Sequence, residues 1–424
     1  MLIIIEDFGT QFADLFIKKG TIMKITENIK YIGVDDHTLD LFEGQYIIPN
    51  GISYNSYIIF DEKIAIMDCV DKREETQWLT NLTEALAGKT PDYLIVHHME
   101  PDHSGCIGTL LEKYPNLQVV TSSLAVQMLS QFFCETDFTG RIITVKEGDT
   151  LSLGKHTLQF IMAPMVHWPE VFVSYEQSEK ILFSADAFGK FGALSHEEEW
   201  ACEARRYYFN ICGKYGAQVQ ALLKKVSALE VSQICPLHGP ILNENLGYYL
   251  NLYNIWSSYG VESDGVLICY TSIYGNTKKA VMMLADKLKE KGCPKVVVND
   301  LARCDMAEAV EDAFRHSTLV VASSTYNGDI FPFMKHFIEH LTERNFQNRR
   351  VAFMENGTWA PMAAKVMKGM FEKSKNLTII EPTVTIKSTL SDESKSQIDE
   401  LAKEGNTEGI EKIMSGVLAI TARG

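Results

Sequence analysis

Residues 93–103 read Tyr93-Leu94-Ile95-Val96-His97-His98-Met99-Glu100-Pro101-Asp102-His103. The first four residues are apolar, which predicts a short buried strand. The polar loop after the strand carries four potential metal ligands in six residues, namely His98, Glu100, Asp102 and His103. An extended chain cannot turn all of them to one side, but a tight turn can, and Pro101 and Gly105 favour such a turn. The stretch therefore predicts a metal-binding loop at the end of a strand.

Three further candidate ligands, His167, Asp186 and His238, lie downstream. Each follows or ends a predicted strand, so the whole set is expected to meet at one edge of a sheet sandwich. Four imidazoles and three carboxylates suit iron better than zinc, because carboxylate oxygen is the harder ligand. Two Fe(II) ions would bring four positive charges against three negative ones, which keeps the desolvation cost of a buried site low. The set therefore predicts a two-iron centre.

The second half of the chain alternates between predicted strands and helices. The strands are expected at 266–270, 295–299, 318–322, 350–354 and 378–386, and the helices at 276–291, 306–316, 332–343, 360–373 and 407–420. This alternation predicts an open parallel sheet with helices on both faces. A polar stretch at 257–264 suggests two domains, 1–260 and 261–424, with residues 1–20 as an N-terminal extension.

A hydroxyl-rich loop follows the first strand of this second domain and opens a helix. It reads Thr271-Ser272-Ile273-Tyr274-Gly275-Asn276-Thr277. Free backbone N–H groups at a helix N-terminus bind anions. The loop lacks the GK[ST] of a nucleotide triphosphate site, and this favours a monophosphate that needs no magnesium.

Two more loops end later strands of the same domain. They are Ser324-Thr325-Tyr326-Asn327-Gly328-Asp329 and Asn356-Gly357-Thr358-Trp359-Ala360. In a doubly wound sheet, ligands bind at the carboxyl ends of the strands beside the switch point. The two loops are therefore expected to cover a flat ring system, with Tyr326 and Trp359 stacked on it or at its edge.

Composition narrows the function classes. The formal net charge of −15 disfavours a nucleic-acid partner. The nine cysteines contain no CxxC pair, which favours a reducing, cytoplasmic location over a disulfide framework and predicts no fused rubredoxin-type module. The chain shows no signal-peptide pattern and no long apolar run, so no membrane association is expected.

The HxExDH loop resembles the HxHxDH loop of the metallo-β-lactamase superfamily, with Glu100 in place of the second histidine. Together with the later His, Asp and His, the pattern is similar to that of the flavodiiron protein family over nearly the whole chain. The resemblance implies a metallo-β-lactamase-like αββα sandwich followed by a flavodoxin-like doubly wound sheet that binds FMN. It also implies that His98, Glu100 and His167 bind one iron, that Asp102, His103 and His238 bind the other, and that Asp186 bridges them. Tyr207 resembles the family tyrosine that lies near the irons.

The resemblance implies a redox function. FMN would take electrons from a reductase or small redox carrier and pass them to the two irons, which would reduce O2 to water or, as the alternative, NO to N2O. It further implies a head-to-tail homodimer, or a dimer of such dimers, in which the FMN of one subunit meets the irons of the other.

Plainer interpretations stay open. The ligand loop would suit a zinc hydrolase on the same scaffold or a metal-free relic, and the whole chain would suit a redox sensor or scaffold with an inert site. Tyr207 and Trp359 would each suit simple packing, and His97 and His37 lie outside the ligand pattern. A flavin domain fused to an iron centre favours redox turnover, because a hydrolase needs no flavin.

Overall fold

A computed structural model describes residues 23–405 and divides into two compact units. The first unit runs to Tyr207 and also contains Gln218–Leu250, while the second contains Tyr208–Ala217 and the chain from Asn251 onward. The chain therefore passes between the units three times, and a single boundary at 260 stays a prediction. The extension 1–20 and the helix expected at 407–420 lie outside the described residues.

Strands dominate the part of the chain before residue 260. They are β1 (Met23–Lys24), β2 (Ile29–Tyr31), β3 (Val34–Asp36), β4 (Leu41–Phe42), β5 (Tyr46–Ile47), β6 (Ile52–Tyr54), β7 (Tyr57–Ile59), β8 (Ala65–Met67), β9 (Tyr93–Ile95), β10 (Gln118–Ser122), β11 (Ile142–Val145), β12 (Thr150–Ser152), β13 (Thr157–Met162), β14 (Phe172–Glu176), β15 (Ile181–Phe183) and β16 (Gln233–Cys235). The helices are α1 (Glu75–Leu86), α2 (Pro101–Ser104), α3 (Ile107–Lys113), α4 (Ser123–Phe132), α5 (Trp200–Tyr207), α6 (Gly216–Val226) and α7 (Leu246–Ser257).

Two large sheets dominate the first unit, beside the two-stranded pairs β3-β6 and β4-β5. One has the order β1-β2-β7-β8-β9-β10-β11 and the other the order β12-β13-β14-β15-β16. Apolar side chains from both sheets, among them Met67, Ile95, Phe160 and Phe183, form one buried cluster. The core therefore lies between the sheets, and the predicted metallo-β-lactamase-like sandwich is confirmed.

Two of the predicted elements are broken in the structure. The sequence pattern at 52–60 predicts one strand, but the structure has β6 and β7 there, because the backbone N–H of Asn55 donates to Leu237 O instead of to a neighbouring strand. The pattern at 197–212 predicts one helix, but α5 ends at Tyr207 and continues as a π-helical turn over Tyr208–Cys212.

A buried histidine clamps the two sheets together at the end away from the ligand loop. His156 Nδ1 lies 2.7 Å from Asp61 Oδ2, and His156 Nε2 lies 3.0 Å from Glu179 Oε1. Asp61 precedes β8 of the first sheet, whereas His156 and Glu179 belong to turns of the second sheet. Burial lowers the pKa of His156, but the two carboxylates outweigh it, so the net pKa is raised above the usual 6.5.

Replacing His156 with glutamine should therefore destabilise the protein most in mild acid. The folded pKa is raised, so the clamp is fully present below pH 6.5 and is lost as pH rises through the folded pKa. We expect a loss of about 2 kcal/mol in the free energy of unfolding near pH 5.5 and a smaller loss at pH 9. Urea unfolding at both pH values measures this, with the exposed His196→Gln as the matched control. Equal losses at the two pH values would contradict the clamp.

The second unit holds a parallel sheet. Its elements are β17 (Ser263–Tyr270), α8 (Asn276–Glu290), β18 (Val296–Asp300), α9 (Met306–Arg315), β19 (His316–Tyr326), β20 (Asp329–Ile330), α10 (Pro332–Glu343), β21 (Arg350–Asn356), α11 (Ala363–Met370), β22 (Thr378–Ile386) and α12 (Asp392–Glu404). The strand order is β18-β17-β19-β21-β22 with parallel neighbours, and β20 forms a hairpin with β19.

This strand order places a topological switch point between β17 and β19, where the chain has first moved to one side and then to the other. Apolar residues of α8 and α12 pack on the sheet, and α9 and α11 also contact its strands. The predicted flavodoxin-like fold is confirmed. Within residues 23–405, no helix is long and apolar enough to cross a membrane.

Candidate metal centre and flavin site

The ligand loop begins where β9 ends. The chain bends at His97 and at Glu100, and Pro101 then starts the four-residue helix α2 as its first helical residue. Proline suits that position because its fixed φ is helical and the missing N–H would have no partner there. The turn brings Asp102 and His103 to the same buried side as His98. The helical turn that begins at Pro101 therefore brings the candidate ligands of the loop together.

Four candidate ligands form a first half-site, consisting of His98, Glu100, His167 and Asp186. Glu100 Oε2 lies 3.1 Å from His98 Nε2 and 3.0 Å from His167 Nε2. Asp186 Oδ2 lies 3.1 Å from His167 Nε2 and 3.6 Å from His98 Nε2. Their ligand atoms all lie within 4.8 Å of one another, which is the spacing that one shared cation requires.

Three more candidates form a second half-site, consisting of Asp102, His103 and His238. Asp102 Oδ2 lies 3.3 Å from His103 Nε2 and 3.2 Å from His238 Nε2. Asp186 reaches this group too, because its Oδ1 lies 3.1 Å from His103 Nε2. One oxygen of Asp186 therefore faces each half-site, as a bridging carboxylate would.

The donor set fits two metal ions. Among the described residues, none makes a hydrogen bond to the buried carboxylate oxygens of Asp102 or to Oδ1 of Asp186, although histidine Nε2 atoms lie close by. The Nε2 atoms of His103 and His238 face each other at 3.1 Å. Buried carboxylates without donors are costly unless a cation compensates them. A cation in each half-site would satisfy these groups with nitrogen and oxygen ligands suited to iron.

The charged groups of the site also shift one another's pKa values. Burial lowers the pKa of His98, but Asp186 and Glu100 outweigh it, so the net pKa is raised well above 6.5. For His167, the hydrogen bonds to Asp186 and Glu100 outweigh burial and raise the pKa to about 9. Burial raises the pKa of Glu100 and of Asp186, yet the surrounding histidines lower both below their usual range. The carboxylates are thus held as anions ready for a cation.

Two of the candidate histidine ligands are oriented by hydrogen bonds from their Nδ1 atoms to residues outside the half-sites. Nδ1 of His98 donates to Glu170 Oε1 at 2.8 Å, and Met99 N donates to the same oxygen at 2.9 Å. Nδ1 of His238 donates to Ser53 O at 2.7 Å. In both cases the bond fixes the tautomer and leaves Nε2 directed at its half-site. Glu170 could not be predicted from the sequence, because a single glutamate three residues after His167 belongs to no recognisable motif.

Replacing Glu170 with alanine should weaken iron binding in the first half-site by about 10–100-fold, because His98 loses its orienting acceptor. Glu170→Gln keeps an oxygen in the same place and should recover most of the affinity. Competition with an Fe(II) chelator measures both variants. Equal iron affinity in the alanine variant and the wild type would show that Glu170 does not orient His98.

The second half-site is bordered by an aromatic wall consisting of Phe42, Phe191 and Tyr207, all buried. Ring centroids of Phe42 and Tyr207 lie 5.4 Å and 5.5 Å from that of His238. Arg206 donates to Ile47 O and so holds the hairpin of β4 and β5, which carries Phe42, against α5. These apolar rings close this side of the centre to water. The role of Tyr207 toward a bound oxygen species stays a prediction.

His97 lies beside the ligand loop but outside both half-sites. Its Nδ1 donates to Asp68 Oδ2 at 2.5 Å, and the hydroxyl of Ser174 lies 2.7 Å from its Nε2. Asp68 follows β8 of one sheet and Ser174 lies on β14 of the other. All three are buried, so His97 joins the sheets beneath the centre.

The predicted phosphate loop, 271–277, connects β17 to α8. Ser272 Oγ accepts the N–H groups of Gly275 at 3.1 Å and Lys278 at 3.2 Å. Gly275 precedes α8 with φ +87°, a conformation that side chains rarely adopt. The loop thus presents a helix N-terminus and hydroxyls at the carboxyl end of β17, as an anion site requires.

Two hydroxyls of the phosphate loop are tied to the neighbouring strand. Thr271 Oγ1 lies 3.1 Å from Ser323 Oγ, and Thr277 Oγ1 lies 3.2 Å from Ser324 Oγ. The structure therefore brings the loop after β17 together with the end of β19, at the switch point between these strands.

The two covering loops follow β19 and β21. Asn327 and Gly328 take φ values of +51° and +73° and make the tight turn into β20. Thr325 Oγ1 accepts the N–H groups of Met362 and Ala363 and so braces the start of α11, and the contact of Thr325 with a flavin stays a prediction. The other predicted loop, 356–360, lies on the adjoining strand end.

Large aromatic rings are open to solvent in these loops. Tyr274 is 93% exposed and Trp359 is 91% exposed, and Tyr326 is 42% exposed. Exposed large rings at the carboxyl ends of parallel strands mark a binding site. Their flat faces and the adjoining anion site fit FMN, whose ring system and phosphate need both.

Comparisons with known proteins find a matching domain family in each half of the chain. A model of the ODP family beta lactamase matches residues 52–239, and a model of a flavodoxin domain matches residues 267–402. The anaerobic nitric oxide reductase flavorubredoxin of Vibrio vulnificus is 30% identical over 348 residues, which are 79% of this chain and 70% of that protein.

Solved structures show the same two-domain fold. Rubredoxin oxygen:oxidoreductase from the anaerobe Desulfovibrio gigas matches with a TM-score of 0.86 and 25% identity, over 93% of this chain and 100% of that chain. The flavodiiron protein from Giardia intestinalis matches with a TM-score of 0.82 and 23% identity, over 92% of this chain and 97% of that chain.

Proposed function

Because this chain belongs to the flavodiiron protein family, we propose that it is an oxidoreductase that reduces O2 to water at a two-iron centre supplied with electrons by FMN. One observation carries the proposal above the others: Asp186 directs one oxygen into each of two half-sites. A hydrolase on this scaffold would have no use for the flavodoxin domain that matches residues 267–402.

The half-sites supply the ligand roles. We assign His98, Glu100 and His167 to one iron, supported by their 3.0–3.1 Å contacts through Glu100 Oε2. Asp102, His103 and His238 would hold the other iron, supported by their 3.2–3.3 Å contacts through Asp102 Oδ2, and Asp186 would offer one oxygen to each iron. The three carboxylates offset most of the charge of two Fe(II) ions, so the loaded centre is nearly neutral inside the fold.

The loops of the second unit would hold FMN, with residues 271–277 at its phosphate and Tyr326 and Trp359 at its ring system. When bound, the FMN and the two irons together supply the four electrons that reduce O2 to two waters with four protons. The protein contributes position, charge balance and exclusion of water by the aromatic wall.

NO reduction to N2O is the alternative reaction on the same residues. The Vibrio vulnificus relative is named a nitric oxide reductase, and the Desulfovibrio gigas structure is named an oxygen oxidoreductase. The ligand set suits both diatomic substrates, and we place O2 first.

We further propose the setting of the reaction. The donor is a reductase or small redox carrier, and the protein is a cytoplasmic head-to-tail homodimer, or a dimer of such dimers, that brings the FMN of one subunit to the irons of the other. The nine cysteines form no disulfide within residues 23–405, which supports a reducing compartment. Light scattering after size exclusion tests the assembly, and a fully active monomer would exclude it.

Steady-state turnover tests the proposed reaction. Protein loaded with iron and FMN and supplied with a reductant should consume O2 quickly without releasing peroxide, and consume NO more slowly. The reverse ranking would make NO the substrate. Protein with zinc in place of iron should form neither water from O2 nor N2O from NO, and hydrolytic activity in that form would favour the hydrolase interpretation.

A further inference from the structure

The loop that carries His238 is fastened to a residue far away in sequence. Asn55 lies between β6 and β7 and is fully buried. Its side-chain Nδ2 donates to Pro236 O at 2.8 Å and to Gly239 O at 2.7 Å. Its backbone N donates to Leu237 O at 2.8 Å. One residue therefore binds carbonyls on both sides of His238.

The orientation of the Asn55 amide is fixed by chemistry. Carbonyl oxygens only accept, so the atom that faces Pro236 O and Gly239 O has to be the NH2 group. The other atom, Oδ1, accepts the hydroxyl of Tyr31 at 3.1 Å. All hydrogen-bonding groups of the side chain are thus used, and the loop cannot shift without leaving buried polar groups unpaired.

The same strand segment sets the ring of His238. Ser53 O accepts its Nδ1–H at 2.7 Å, and Ser53 Oγ accepts the N–H of Gly239 at 2.7 Å. Tyr57 OH donates to Pro236 O at 2.6 Å. These bonds keep Nε2 of His238 directed toward Asp102 and His103.

We infer that Asn55 is a positioning residue for the second half-site, and that the two half-sites are held by separate anchors. Glu170 anchors His98 in the first half-site, and Asn55 anchors His238 in the second. The inference rests on the proposed two-iron function. It adds that the iron held by His238 depends on Asn55, whereas the iron held by His98 does not.

Replacing Asn55 with aspartate tests the anchor at constant size. The change turns two N–H donors into an oxygen that faces two carbonyl oxygens, so the loop moves and His238 leaves its place. We expect the iron content to fall from two toward one per chain, and the affinity for the second iron to fall by about 10–100-fold. Asn55→Ala removes the donors without adding charge and should give the same result.

Spectroscopy identifies which iron is lost. Mössbauer and EPR spectra of the Asn55 variants should match those of His238→Ala and differ from those of His98→Ala and of Glu170→Ala. FMN content and near-ultraviolet circular dichroism report whether the two units stay folded. Tyr31→Phe removes only the bond to Oδ1 and should keep both irons.

The outcomes separate the inference from the function it rests on. Wild-type protein that never binds two irons would defeat the proposed function. If the wild type binds two irons and the Asn55 variants also bind two irons with an unchanged spectrum, the inference about Asn55 fails while the proposed function stands. Loss of both irons together from both Asn55 variants would also overturn it, because Asn55 would then support the whole fold and not one half-site.

Discussion

Replacing Asp186 with alanine is expected to abolish turnover of both O2 and NO, with a loss of at least about 1,000-fold, or about 4 kcal/mol in the barrier. Asp186 is the residue whose two oxygens face different half-sites, at 3.1 Å from His167 Nε2 and 3.1 Å from His103 Nε2. Without it, two cations would face each other with only Glu100 and Asp102 to offset them. Iron content should therefore fall below one per chain.

The control for this variant is Asp137→Ala, which removes an exposed aspartate whose side chain caps a surface turn. It should keep both irons and full turnover. Iron analysis and gas consumption are measured on both proteins side by side. An Asp186 variant that binds two irons and turns over at more than a tenth of the wild-type rate would rule out the bridge.

Replacing Gly275 with valine is expected to lower FMN affinity on the order of 100-fold, or about 2.7 kcal/mol. Gly275 has φ +87°, where a β-branched side chain is strained, and it precedes the helix that would hold the phosphate. Donor-driven turnover should fall in proportion to FMN content, while the iron content stays at two. Fluorescence titration of FMN-free protein measures the affinity.

Gly292 offers a matched control. It has φ +81°, and an added Cβ would meet no atom within 4 Å, as at Gly275, but it follows the C-terminal end of α8. Gly292→Val therefore carries similar backbone strain away from the phosphate loop and should bind FMN normally. Equal FMN loss in the two variants would show that strain in α8, and not phosphate binding, explains the effect.

Much of the fold can be predicted from the sequence, because local patterns of apolar and polar residues determine its strands and helices. The run 266–270 is continuously apolar and becomes β17, and regular alternation in the second half becomes a parallel sheet. Helix α12 is missed because its start, Ser391 to Ser394, is a capping box built from two serines within a Ser/Lys-rich stretch that resembles a loop. Helix α7 is missed because tyrosines and asparagines obscure its apolar face.

Site residues can be predicted from the sequence where several ligand-type residues lie close together in the chain. They cannot be predicted where a single residue acts through partners far away in sequence. The ligand loop packs four donors into six residues, which no ordinary turn needs. Asn55 and Glu170, by contrast, are a single amide and a single carboxylate. Asn55 bonds to residues 181 and 184 positions away, and Glu170 bonds to a residue 72 positions away. Such partners exist only once the two sheets have packed.

A single turnover of fully reduced protein tests the proposed four-electron reduction of O2 most directly. Protein with two Fe(II) and one reduced FMN per chain holds four electrons, and it is mixed with O2 in a stopped-flow instrument without further reductant. We expect one O2 consumed per chain, full reoxidation of iron and flavin, and no hydrogen peroxide. Two O2 consumed per chain with two peroxides formed, or no reoxidation of the iron, would contradict the proposed reduction.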